Sequence, residues 1–241
     1  MRDAAGNADR NRTIGLIGGM SWESSALYYR VINEVSKARR GGHSNVRSLM
    51  LTLDFGIVER LQREAAWDEL GAQMAAAARE LAAGGAGCIV LCTNTMHKLA
   101  DRIEDAVSIP LLHIADPTGA ALRTSGHRRI GLLGTRFTME QEFYRRRLEE
   151  QHDLEVLVPE SAERDAVHRI IYDELCHGRA FPESRRAYQQ IIAGLAARGA
   201  QALILGCTEI TLLIAPADSS LPVFDTTRLH AEGAVEWALR S

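Results

Sequence analysis

Lysine is almost missing from this 241-residue chain: only Lys37 and Lys98 occur. Pyridoxal phosphate chemistry needs a Schiff-base lysine, so it is disfavoured, with Lys98 the one formal candidate besides Lys37. No organic cofactor and no metal is expected. Aromatic residues make up only 5% of the chain, too few for base-stacking platforms, and the net charge of −3 gives no electrostatic footprint for nucleic acid. No apolar run approaches the roughly 18 residues of a membrane span, and the opening Met1-Arg2-Asp3-Ala4 lacks an apolar signal region. A cytosolic protein with reduced thiols is therefore expected. None of the four cysteines, Cys88, Cys92, Cys176 and Cys207, forms a CxxC pair. The four-residue spacing of Cys88 and Cys92 inside one apolar run suits neither a disulfide nor a zinc knuckle.

What is present is a duplicated α/β pattern. Cys88-Ile89-Val90-Leu91 and Ala202-Leu203-Ile204-Leu205-Gly206 read as buried parallel strands. Each runs into a Cys-Thr pair, Cys92-Thr93 and Cys207-Thr208. Ligands of open α/β sheets bind beyond the carboxyl ends of the strands, so both pairs fall where chemistry is done. Ile14-Gly15-Leu16-Ile17-Gly18 is echoed by Ile130-Gly131-Leu132-Leu133-Gly134, and Leu81-Ala82-Ala83-Gly84-Gly85-Ala86 by Leu195-Ala196-Ala197-Arg198-Gly199-Ala200. The expected fold class is α/β. It has two similar lobes, each a short, mainly parallel sheet flanked by helices, related by a pseudo-twofold axis. The expected boundaries are a disordered tail over 1–12, a first lobe over 13–115 plus 218–241, and a second over 116–217.

The expected strands include 14–17, 48–54, 88–91, 109–114, 130–133, 155–158 and 223–225, with helices between them. Ser21 is positioned to cap the first helix. Gly18-Gly19 is not the GxGxxG dinucleotide fingerprint. Asn94-Thr95 is expected to open a helix, whose dipole would lower the Cys92 thiol from its free value of about 8.5. His97 reads as a structural hydrogen-bonder, Cys88 as core, and Cys176 as a bystander. From Leu81 and Leu195 the halves align at an offset of 114 residues through Leu205, yet Cys207 lies one residue further along than Cys92 predicts. A one-residue slip flips a side chain to the other face of a strand, so a bulge or turn at Gly206 is expected to absorb it.

Two opposed thiols suit removal of a proton from one face of a carbon and its return to the other. Four motifs run in order along nearly the whole chain: Ile14-Gly15-Leu16-Ile17-Gly18-Gly19-Met20-Ser21, Cys92-Thr93-Asn94-Thr95-Met96-His97, Gly134-Thr135 with Thr138, and Gly206-Cys207-Thr208-Glu209. Together they resemble the aspartate/glutamate racemase family. The resemblance implies racemisation of an acidic or related amino acid without pyridoxal phosphate, at a site between two lobes, in a homodimer. It implies that Cys92 and Cys207 are the catalytic pair. It also implies that Met20, Ser21, Thr93, Asn94, Thr95, Thr135, Thr208 and Glu209 surround the substrate. Arg60, with Gln62 nearby, matches a basic residue that holds the distal carboxylate in archaeal-type members. Those members also carry a lysine in the second lobe, which this chain lacks. A maleate isomerase or hydantoin racemase on the same fold is the alternative, and a non-enzymatic binding protein with two inert cysteines is a third reading.

Overall fold

The apolar runs form two separate four-stranded sheets in a computed structural model that describes residues 12–240. Strands β1 (Ile14–Gly18), β2 (Ser48–Thr52), β3 (Cys88–Leu91) and β4 (Leu111–Leu112) lie in the order β2-β1-β3-β4. Strands β5 (Arg129–Gly134), β6 (Glu155–Leu157), β7 (Ala202–Gly206) and β8 (Val223–Asp225) repeat that order as β6-β5-β7-β8. Every pairing is parallel. The two-lobed α/β class expected from the sequence is the fold observed.

Between the strands run helices α1 (Trp22–Arg40), α2 (Phe55–Arg63), α3 (Trp67–Ala83), α4 (Ala100–Glu104), α5 (Ala115–Thr124), α6 (Arg136–Glu140), α7 (Glu142–His152), α8 (Ser161–Asp173), α9 (Pro182–Ala197) and α10 (Thr226–Leu239). They cover both faces of each sheet, which is why the central strands are apolar without interruption. In the first lobe, Ile17, Ile89 and Leu91 pack towards α2 and α3 with Leu61, Leu70 and Met74. Ile14, Leu16, Val90 and Cys92 pack the other way, on Tyr28 and Ile32 of α1 and Ala234 and Val235 of α10. The second lobe repeats the arrangement. Leu133, Leu203 and Leu205 meet α8 and α9, whereas Ile130, Leu132 and Ile204 meet α5 and α7. Fully burying one such Leu or Ile contributes about 1.5–3 kcal/mol. No helix among the described residues is long and apolar enough to cross a membrane.

Several boundaries move. The second strand stops at Thr52 rather than 54, because the Asp54 side chain accepts the Gly56 N–H at 2.9 Å and caps α2. The run at 109–114 yields only the two-residue β4, since the backbone from His113 turns into α5, with Asp116 N–H donating to the His113 carbonyl at 3.1 Å. The segment 218–241, expected as part of the first lobe, divides. Its strand β8 pairs with β7 in the second sheet, while α10 packs on α1. Residues 1–11 of the expected tail lie outside the described residues. Arg12, its last residue, is seated, with its guanidinium 5.2 Å from the Trp237 ring centre.

Gly19 sets the turn after β1 that delivers Met20 and Ser21 to the cleft. Its φ of +89° is open to glycine, and an added Cβ would collide with the Leu53 backbone carbonyl. Gly19→Ala should lower stability by about 2 kcal/mol or more. Urea unfolding monitored by circular dichroism measures this, and an unchanged midpoint would contradict it.

Candidate active site

The carboxyl ends of β1, β3, β5 and β7 open onto one cavity between the lobes, with about 440 Å³ of empty space including its mouth. Met20, Gln62, Thr93, Asn94, Thr95, Thr135, Cys207, Thr208 and Glu209, nine of the residues expected in the site, line it. Ser21 stands behind the wall, where it caps α1 and its hydroxyl donates to Glu209 Oε1 at 2.8 Å. Two expected residues do not reach the cavity. Arg60 lies on the exposed side of α2, paired with Glu64 at 3.1 Å. Cys92 is fully buried and belongs to the core between the first sheet and helices α1 and α10.

The strand registers explain the displacement of Cys92. Gly206 pairs with Gly134 in an unbroken parallel ladder, and Cys207 continues in extended conformation at φ −153°, ψ 130°. No bulge absorbs a residue at Gly206. The offset of 114 therefore holds through the site, and the residue equivalent to Cys207 is Thr93, while Cys92 is equivalent to Gly206. Alternation along β3 turns Cys88, Val90 and Cys92 into the same core. Thr93, half-buried, faces the cavity. The helix expected to lower the Cys92 thiol is a five-residue 3-10 segment, Thr95–Leu99, and burial pushes that thiol well up instead.

Hydroxyl groups stitch the lobes together around the cavity. Ser24 Oγ donates to the Cys92 carbonyl at 3.0 Å and lies 2.9 Å from Thr208 Oγ1. Thr95 Oγ1 meets Thr135 Oγ1 at 3.0 Å, and Tyr172 donates to Gln62 Oε1 at 3.3 Å. Asn94 Nδ2 donates to Thr226 Oγ1 at 3.0 Å, while the buried Asn94 Oδ1 has no hydrogen-bond partner. His97 is structural, as expected. Its Nε2 accepts the Ile114 N–H at 3.2 Å, so its Nδ1 carries the proton and donates to the Thr93 carbonyl at 2.7 Å. Burial, then the neighbouring His113 and His230, hold its pKa well below the ordinary value. His97 is thus a neutral brace on the backbone of Thr93.

A sequence profile of the family described as Asp/Glu/Hydantoin racemase matches residues 17–234, almost the whole described chain. The chain belongs to the Asp/Glu/Hydantoin racemase family. It is thereby an isomerase of the racemase type. A crystal structure assigned to the Asp/Glu racemases from Yersinia pestis is 51% identical, covers 95% of this chain and all of that one, and has a TM-score of 0.89. An aspartate racemase homologue from Pyrococcus horikoshii is 31% identical over 95% of this chain and all of that one, with a TM-score of 0.82. The broad specificity amino-acid racemase RacX of Bacillus subtilis is 22% identical over 92% of this chain and 96% of its own length.

Within this family member the cavity holds residues that sequence reasoning missed: Ser24, Phe55, Ile171, Tyr172 and Cys176. Ser24 sits one turn beyond the cap Ser21, which was a usable signal. Tyr172 near the end of α8 carried none, because the packing of the second lobe against α2 brings it to Gln62, and Cys176, in the short 3-10 segment that follows, comes in through its own lobe's packing beside Cys207. Cys176, read as a bystander, lines the cavity near Cys207.

The Cys207 thiol donates to Glu209 Oε2 at 2.9 Å. Burial raises its pKa well above the ordinary value, and the Glu209 charge raises it further. Burial also pushes the Cys176 thiol up, to about 12. A raised thiol pKa keeps the neutral form up to higher pH. Iodoacetamide should therefore label the folded, ligand-free protein far more slowly than free cysteine at pH 7, with the rate still climbing above pH 9. Mass spectrometry of the quenched reaction reads this. Rapid labelling of Cys207 at neutral pH would refute the assignment of its neighbours.

Proposed function

We propose that this chain interconverts the enantiomers of a free amino acid without an organic cofactor or a metal, with Cys207 and Thr93 acting on opposite faces of Cα. One observation carries the reading: the two side chains stand at equivalent ends of β7 and β3 and line the same cavity. The two-cysteine pairing implied by the resemblance would need Cys92 to leave the core between α1 and α10.

The chemistry follows from the neighbours. Glu209 and the unpartnered Asn94 Oδ1 are acceptors for a substrate ammonium group. The arriving positive charge offsets the Glu209 charge that helps keep Cys207 protonated, and so favours the thiolate, the thiol proton leaving to solvent as the substrate binds. The thiolate takes the α-proton, giving a carbanion whose charge spreads into the substrate carboxylate. Hydroxyl donors from Thr95, Thr135 and Thr208 are at hand for that oxygen pair. Thr93 then donates its hydroxyl proton to the opposite face, and solvent restores the proton to Thr93 and removes the one on Cys207. A hydroxyl is a far weaker acid than a thiol, so this second transfer is the slower one.

The test is enantiomer-resolved α-proton exchange in D₂O alongside racemisation. The enantiomer that presents its proton to Cys207 should gain deuterium faster than it inverts. Cys207→Ala should reduce both rates by about 100-fold or more. Thr93→Ala should stop inversion and spare exchange of that enantiomer, and Thr93→Ser should restore inversion in part. Cys92→Ala should keep both rates, with a stability loss of about 1 kcal/mol from the vacated core volume. Loss of inversion in a folded Cys92→Ala protein would sink the Thr93 assignment. Turnover of maleate or a hydantoin in place of any amino acid would favour the same-fold alternatives. A cytosolic homodimer belongs to this reading. The exposed Trp22 and Leu212 share a surface groove beside Thr208 that a second copy would cover, and light scattering reads the mass.

A further inference from the structure

We propose that the substrate's side chain ends in a neutral hydrogen-bonding group, a hydroxyl or a carboxamide, and that Gln62 with Tyr172 selects it. This inference rests on the racemase reading and narrows its substrate class.

The charge on the cavity wall is one-sided. Glu209 is the one carboxylate among the described lining residues, and no lysine, arginine or histidine lines the space. The nearby cations are engaged elsewhere. Arg60 pairs with Glu64, Arg63 pairs with Glu59 at 3.3 Å, and the Lys98 ammonium sits 3.8 Å above the Trp67 ring. Arg63 and His168 border a separate outer hollow, which shares Gln62 and Tyr172 with the inner cavity. Those two side chains therefore form the partition between cavity and hollow. An aspartate or glutamate substrate would place two carboxylates beside Glu209 with a single ammonium among them. Desolvating the second carboxylate without a cation is strongly unfavourable.

The partition has weakly committed polar groups. Gln62 is only 6% exposed, yet its Nε2 donates to a thioether, Met96 Sδ, at 3.1 Å. Sulfur is a weak acceptor. Its Oε1 receives the Tyr172 hydroxyl at 3.3 Å, near the outer limit for such a bond. A buried amide with two weak partners gains by exchanging them for a ligand hydroxyl or amide, which can both donate and accept. A site built to pair such a group rejects an analogue that lacks it more strongly than an apolar pocket rejects a methylene. Phe55 and Ile171 supply the remaining apolar wall for the side-chain stem.

The experiment is a panel of L- and D-serine, asparagine, glutamine, methionine, lysine, aspartate and glutamate, followed by α-proton exchange in D₂O by NMR. The best of serine, asparagine and glutamine should exceed aspartate and glutamate at least tenfold in kcat/KM, and methionine and lysine as well. In Gln62→Leu the advantage of the polar substrates over methionine should fall at least tenfold. Gln62→Arg supplies the missing cation and should raise aspartate or glutamate relative to glutamine. Fastest exchange with aspartate or glutamate in the unmodified protein overturns this inference and leaves the racemase reading standing. Fastest exchange with methionine or lysine, or an unchanged ranking in a folded Gln62→Leu protein, also overturns it. No exchange with any amino acid removes the racemase reading, and this inference falls with it. The panel on the unmodified protein does not depend on either variant folding.

Discussion

Alternation along two parallel strands governs the chemistry available to this chain. β3 and β7 are each covered by helices on both sides, so successive residues are driven into opposite cores. Only where a strand runs out does a side chain come free of full enclosure in a core and reach the cavity. At the end of β7 that residue is Cys207, and at the matching point past β3 it is Thr93. The cysteine immediately before Thr93 cannot share the position, because turning it outward would withdraw a buried thiol from Tyr28, Leu16 and Val90 and expose the opposite face of the strand. Register thus decides which first-lobe side chain meets the cavity at this point before any electrostatics applies.

Around these two positions the protein has arranged hydroxyls and amides in preference to charges. Ser21, Ser24, Thr95, Thr135 and Thr208 join elements from both lobes at 2.8–3.0 Å. In the Ser24–Thr208 and Thr95–Thr135 pairs the donor and acceptor roles can reverse, so they can reorganise around a ligand without leaving a charge unpaired. The nearby imidazoles follow the same rule. His97 and His113 are held neutral by burial first and by neighbouring charge second, His230 by burial against the opposing pull of the Leu112 carbonyl and Asp116, and each is committed to backbone groups or to Tyr28. Protonating His97 would take away the acceptor of the Ile114 N–H, so its neutrality is part of how the Thr93 loop keeps its place.

Much of the fold was legible because the signals were local. Apolar runs of four or five residues gave β1, β3, β5 and β7, and Ser21 and Asp54 show how a capping side chain sets a helix start. The one-residue discrepancy in the repeat was visible too: it leaves Thr93 as the match to Cys207, or Cys92 if Gly206 bulges, and the bulge was the expectation. The motif resemblance pointed to Cys92, and deciding between them required the observed register at Gly206. Arg60 illustrates the other limit. Sequence placed it just past the second strand, but its exposure on α2, directly beside the buried Leu61–Gln62 pair in sequence, depends on how the helix is rotated against the core. Tyr172 depends on packing between lobes and Cys176 on long-range packing within the second, and neither left a local trace.

The last helix has a consequence for how the molecule comes into being. Ala231, Ala234, Val235 and Ala238 of α10 complete the core on one face of the first sheet, together with residues from α1. Helix α1 covers part of that face, and α10 adds the rest from beyond the second lobe in sequence, with Tyr28 and His230 closing the seam at 2.7 Å. The two lobes are alike in plan but not in independence. The second builds its cores from residues 114–214, whereas the first draws part of its own from residues 231–238, so the first lobe's packing is tied to a segment that the chain reaches only after the second.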